Sequence, residues 1–363
     1  MAARNSKLLR RILAIARKDI SLALKDRMIL GVIIGVFLLI LPSQLLPIIL
    51  QNESTPQAVI YGLEPTALAN GLTHLPDTSA FSVKSFPDLR DEIASGRSSI
   101  IGLVMPEDFS ARVSAKQKIN IDAYVTHWTE PDGANQLEEH FENKIHALTG
   151  SPIDITIVDD QVYPDEDTRG LQVMFILQMI NAVMTITLIL VPQLMISEKE
   201  THTLDALLIS PANLTELVIG KGLVGIFYAA IAVSIVILMN TKIVAHWPLF
   251  IVSVFSGIIV AVLTGLLIGL LFGNYQQATI AMWFIGLLAI APPFIILIMT
   301  AELPGILDTI INWVPSGQLA NLLMMSLMQS VDNQTALLGL GSIWVVSLIL
   351  FGLTLRQIIE HIK

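Results

Sequence analysis

Residues 196–221 read ISEKETHTLDALLISPANLTELVIGK, and they form the only long polar, helix-capable segment between two apolar runs on the basic side of the chain. Glu198, Lys199 and Glu200 come first, and Thr203, Leu204, Leu207 and Leu208 follow as a short helix with a leucine face. Ser210 and Pro211 end that helix, because proline cannot donate the next backbone hydrogen bond. Asn213 and Glu216 then form a capping-box-like pair at the start of the following apolar run. A short amphipathic helix held between two spanning helices is a handle on which something outside the membrane can push.

Outward from this stretch the chain is strongly apolar. Of its 363 residues 53% are hydrophobic and only 14% charged, with a mean hydropathy of +0.70, a composition that belongs to integral membrane proteins. Cysteine is absent, which excludes a disulfide framework and thiolate metal sites. The net charge of −9 is unevenly placed: residues 51–170 hold 20 acidic and 8 basic side chains, and the remainder 13 basic and 10 acidic. An acidic soluble module therefore sits on a slightly basic membrane body, and no basic face for nucleic acid is present.

Residues 1–27 read as an amphipathic helix, with Leu9, Ile12, Leu13, Ala16, Ile20 and Leu24 at helical spacing and Lys7, Arg10, Arg11, Arg17, Lys18 and Lys25 opposite. Such a helix suits the interface of an anionic leaflet, and no small-residue cleavage site marks it as a signal peptide. Six apolar runs follow, at 28–50, 171–196, 217–240, 249–272, 279–300 and 337–355, each long enough to cross about 30 Å of hydrocarbon. Residues 302–334, broken by Pro304, Gly305, Pro315 and Gly317, read as short helices dipping into or lying on the outer leaflet. With the N-terminus inside, the inner flanks hold twelve Lys and Arg, Lys199 and Lys221 being assigned to the connection between the second and third runs, and the outer connections hold Lys242 alone. Both termini are thus expected to be cytoplasmic, and the module at 51–168 extracytoplasmic.

That module reads as mixed α/β, with strands at 57–61, 81–86, 99–104, 119–124 and 153–158 and helices at 87–95, after Met105, and at 135–148. It carries no phosphate loop and no nucleophile elbow. Glu139, His140, Glu142 and His146 share a helix but read as an exposed acidic face, so no metal site is assigned; His74 and His127 stand alone. The spans are read as lacking Asp, Glu, Lys and Arg, which disfavours intramembrane ion coupling. Gln172, Gln178, Asn181, Thr185 and Thr187 of the second run could line a path, and Pro292 and Pro293 should kink the fifth. Ser253, Gly257, Ala261, Gly265, Gly269 and Gly273 form a ridge of small residues for close helix packing, within the chain or at a subunit interface, with a shorter version at Gly31 and Gly35. The P-loop pattern GxxxxGK[ST] is missing, so ATP hydrolysis is not expected of this chain.

The basic helix ending ARKDISLALKDR resembles the elbow helix of ABC-2 type transporter permeases, and the outer module with GRSSIIGLVMPEDFSARV resembles that of their drug- and sodium-exporter branch. The segment SEKETHTLDALLISPANLTELVIGK is similar to the family's cytoplasmic coupling segment, with His202 standing where glycine is usual. This resemblance implies six transmembrane helices, an elbow helix, an α/β domain between the first two spans, and a coupling helix at 197–214. It further implies a cell-membrane permease, homodimeric or heterodimeric, working with separate ATPase subunits that bind ATP and Mg. Contact with the ATPase would fall to Glu198, Lys199, Glu200, Thr203, Leu204, Leu207, Leu208, Ser210 and Pro211, and the cargo, a hydrophobic or amphipathic drug or lipid-like molecule or else sodium, would pass outward along the second and fifth spans. A stand-alone secondary transporter and a non-transporting receptor or assembly scaffold are the competing expectations.

Overall fold

The computed structural model describes residues 2–23, 30–31, 34, 55–62, 65–95, 100–158, 161–165, 170–200, 214–238, 240–298 and 304–362. Helix α1 (Ala2–Ala23) precedes a unit built from β1 (Gln57–Tyr61), α2 (Pro65–Thr73), β2 (Ser79–Ser82), α3 (Phe86–Ala94), β3 (Ile100–Val104), α4 (Phe109–Ser114), β4 (Ile119–Tyr124), α5 (Pro131–Thr149) and β5 (Ile153–Ile157). The helical body follows as α6 (Leu171–Glu200), α7 (Leu214–Leu238), α8 (Trp247–Leu271), α9 (Tyr275–Ile298), α10 (Gly305–Trp313), α11 (Pro315–Met325) and α12 (Asn333–Ile362).

In the α/β unit the strand order is β2-β1-β3-β4-β5, parallel except where β3 meets β4. The two faces of the sheet bury alternate residues. Ala58, Ile60, Ile101 and Leu103 pack with Leu72 of α2 and Phe141 and Ile145 of α5, whereas Val59 and Ile100 pack with Leu89 and Ile93 of α3. Helix α3 starts where it does because Ser85 and Asp88 cap each other's backbone N–H, with Pro87 filling the first turn. Helix α2 is an addition to the elements predicted from the sequence, and the second strand falls at 79–82 rather than 81–86.

Among the described residues five helices, α6, α7, α8, α9 and α12, are long and apolar enough to cross a membrane. Of the predicted first span only residues 30, 31 and 34 are described, all helical; the remainder lies outside the described residues. The small-residue ridge of α8 explains the close packing of the body. A Cβ on Gly265 would stand 2.6 Å from the Thr187 carbonyl oxygen of α6, one on Gly269 would stand 2.7 Å from Met195 Cβ, and one on Gly257 would meet Leu319 of α11 at 2.6 Å. Ala261 is buried, while Gly273 lies past the end of α8 with nothing near it. The segment expected to dip into the membrane holds α10 and α11, and α11 is buried against α8 and the ends of its neighbours, with Leu319, Leu322 and Leu323 almost inaccessible.

The bundle has two dissimilar ends. At one, His127 of the α/β unit bonds the Ile243 carbonyl through Nε2 at 3.1 Å, Glu130 pairs with Lys242, and His246 reaches the Gln329 carbonyl. At the other lies α1.

Candidate functional site

Residues 201–213, among them Thr203, Leu204, Leu207, Leu208, Ser210, Pro211 and Asn213, lie outside the described residues, and the charges that flank them tie together several elements at the bundle's second end. Helix α6 runs past the predicted limit of its span to Glu200, so Glu198, Lys199 and Glu200 form its last turn. Each goes to a different element. Glu198 Oε1 accepts from Lys221 Nζ of α7 at 2.8 Å. Lys199 Nζ donates to the carbonyls of Leu270 and Phe272, at 2.8 and 3.0 Å, and so caps the end of α8. Glu200 Oε1 accepts from the Tyr275 N–H at 3.0 Å, at the start of α9, where Asn274 Oδ1 also takes the Gln277 N–H.

Lys221 is the correction to the reading of charge-free spans. It stands two turns inside α7 with its side chain only 2% exposed. Two carboxylates hold it: Glu198, and Asp19 of α1 through Oδ2 at 2.9 Å. Asp19 reaches this position because Ile12, Ile15, Ala16 and Asp19 share one stripe of α1, three and four residues apart. The stripe lies on α7 at Gly220, where a Cβ would come within 2.8 Å of Ile15 Cγ2. Glu216, in the first turn of α7, is buried and paired with Arg11 at 3.5 Å; its expected capping partner Asn213 lies outside the described residues. Deeper in, the Tyr228 hydroxyl donates to the Ile20 carbonyl.

Helix α1 therefore buries a face slightly rotated from the predicted one. Leu13 is half exposed, and Arg10, Arg17 and Lys18 point away from the bundle; Lys25 lies outside the described residues. The result is a clasp in which a single buried ammonium joins α1, α6 and α7, and its neighbours on α6 fasten α8 and α9. An ammonium buried between two carboxylates is held in place by the cost of separating any of them. Sequence reading missed Asp19 and Lys221, although each carried a signal: an acid on the apolar stripe of a basic helix, and a lone base inside an apolar run.

The other residues singled out from the sequence do not converge. Thr185 donates to Asn181 Oδ1 at 2.9 Å on the open face of α6, and Gln178 is half-buried. Pro292 and Pro293 are buried on α9, which continues as helix through both. On α5, His140 meets Thr78, His146 Nδ1 meets the Ser151 carbonyl, and Glu142 accepts from the Ile155 N–H, three separate structural duties.

A family model described as ABC-2 family transporter protein matches residues 28–356. The chain belongs to the ABC-2 transporter family. It is a membrane permease component of an ABC transporter, and membership implies partnership with an ABC ATPase subunit. No curated protein and no solved structure matches the chain.

Proposed function

We propose that this ABC-2 permease works in an exporter of the drug- and sodium-exporter type, moving a hydrophobic or amphipathic molecule outward across the cell membrane with ATP hydrolysed by a separate subunit. Both termini face the cytoplasm, the α/β unit faces outward, and a second permease subunit completes the pathway. The ATPase docks on residues 201–213, with Leu204, Leu207 and Leu208 as its apolar contact. A single observation carries this reading: Lys221, two turns into the helix after that segment, pairs both with Glu198, just before the segment, and with Asp19 of α1. The helices that lead into and out of the segment are consequently stapled to each other and to α1, and a push applied between them moves α1, α6 and α7 together.

Because Glu198, Lys199 and Glu200 are occupied within the chain, their role is to fix these helices rather than to meet the ATPase. The reading is tested in proteoliposomes that hold the permease and its ATPase, loaded with a fluorescent amphipathic dye. ATP-dependent dye movement supports it. Movement that survives omission of ATP points instead to the stand-alone carrier.

A further inference from the structure

Midway along the helical body a cavity of about 230 Å³ opens between α6, α8, α9 and α12, closed at one end by the start of α11. Leu188, Thr264, Ala289, Val346, Pro315 and Ser316 are among its walls. Nearly all of the lining is apolar, and the Thr264 hydroxyl is spent on the Val260 carbonyl of its own helix at 2.9 Å. Ser316 is different. It is 2% exposed, and its Oγ has no hydrogen-bond partner among the described residues. A buried hydroxyl left without a partner costs on the order of 1–3 kcal/mol, so such a group calls for an explanation.

A second observation points the same way. Ser316 is the second residue of α11, an 11-residue helix that begins with Pro315 and has no side-chain cap. The first N–H groups of a helix lack intrahelical acceptors, and the dipole makes that end partly positive. The cavity thus meets one free hydroxyl, able to donate one hydrogen bond, beside the N–H end of a helix. Water suits it poorly, since a buried water needs two to four polar partners. A carboxylate is also disfavoured, because the walls carry no Lys or Arg and an unpaired charge at mid-membrane costs several kcal/mol. For scale, an apolar cavity of about 150 Å³ accepts a benzene ring.

We infer that this cavity is a binding site for an uncharged, ring-sized lipophile bearing one hydrogen-bond-accepting oxygen, which takes its hydrogen bond from Ser316 Oγ at the start of α11. The molecule would enter from the bilayer, and the site is complete within one chain, whatever cargo the transporter moves.

The test uses the full-length protein in lipid nanodiscs and benzophenone, an uncharged ketone that inserts into neighbouring C–H bonds on irradiation. Saturable labelling is expected on the peptides that contain Ile285, Ala289, Val346 and Leu350. Fluorenone should compete about two- to tenfold better than fluorene, which has the same rings without the oxygen, as one hydrogen bond of ordinary strength requires. Ser316→Ala should abolish that preference, and Ala289→Phe should abolish the labelling by filling the space. Equal competition by fluorenone and fluorene in the unaltered protein, or labelling that is not saturable at these peptides, overturns the assignment. The competition needs no variant, so a folding defect in either substitution leaves the proposal open to refutation.

Discussion

Replacing Lys221 by methionine tests the clasp most severely. The substitution keeps an unbranched side chain of similar length and removes the charge, leaving Asp19 and Glu198, with side chains 5% and 12% exposed, facing each other across the vacated position. Breaking a buried ion pair by removing one partner costs about 3–5 kcal/mol, mostly the penalty of stranding the other charge. Here two carboxylates are stranded, so the upper part of that range is expected. Adding Asp19→Asn and Glu198→Gln removes both stranded charges. The triple variant should therefore recover at least about half of the loss, because neutral replacement of a buried ionic cluster is often close to neutral. The assay is unfolding of the purified protein in mild detergent, followed by the fluorescence of its tryptophans, with refolding checked. If Lys221→Met unfolds within about 0.5 kcal/mol of the unaltered protein, as a surface change would, the clasp does not hold these helices together. A triple variant no more stable than the single one would show that the loss arises from packing rather than from charge.

Gly265→Ala should destabilise by about 1–3 kcal/mol, since its Cβ would sit 2.6 Å from the Thr187 carbonyl oxygen; Gly341→Ala, with open space around it, should be neutral or stabilising by up to about 1 kcal/mol, and thermal unfolding of the pair checks the contrast. At the opposite end of the bundle, burial holds the pKa of His127 below its ordinary 6.5, only partly offset by the hydrogen bonds with Ile243 and Val162, and Nδ1 has no acceptor for a second proton among the described residues. The folded state therefore binds fewer protons than the unfolded one in this range, so the contribution of His127 is complete above pH 6.5 and is lost as pH falls toward the lower folded value. Hydrogen exchange of residues 240–246 should accelerate between about pH 7.5 and 5, after correction for the intrinsic rate, and His127→Gln should flatten that slope; an equal slope in the variant refutes the assignment.

Much of the fold was legible because its signals are periodic. The strands at 57–61 and 119–124 were read to the residue, the first as a short run of apolar and β-branched side chains and the second because apolar side chains alternate there with polar ones, and the apolar runs located the five described spans within a few residues. Helix α2 was missed because Pro65 opens it and Gly71 interrupts it, both of which read as loop residues. The site was harder. Glu198, Lys199 and Glu200 look like the solvated end of a span, and nothing local reveals that Lys199 and Glu200 cap helices that end or begin more than 70 residues later. Lys221 looks like a flank residue until α1 is placed beside it, which only the tertiary structure does. The small-residue ridge was visible as a pattern, but its partners, Thr187 and Met195 of α6 and Leu319 of α11, were not. Ser316 carried no signal at all, being one more small polar residue in a turn.

Recruitment of an ATPase through residues 201–213 is what the exporter reading stands on, and affinity purification from native membranes in mild detergent measures it directly. A P-loop ATPase is expected in stoichiometric amount, lost from Leu207→Asp while that variant keeps the unfolding midpoint of the unaltered protein. An ATPase retained by Leu207→Asp, or none found with the unaltered permease, would contradict it.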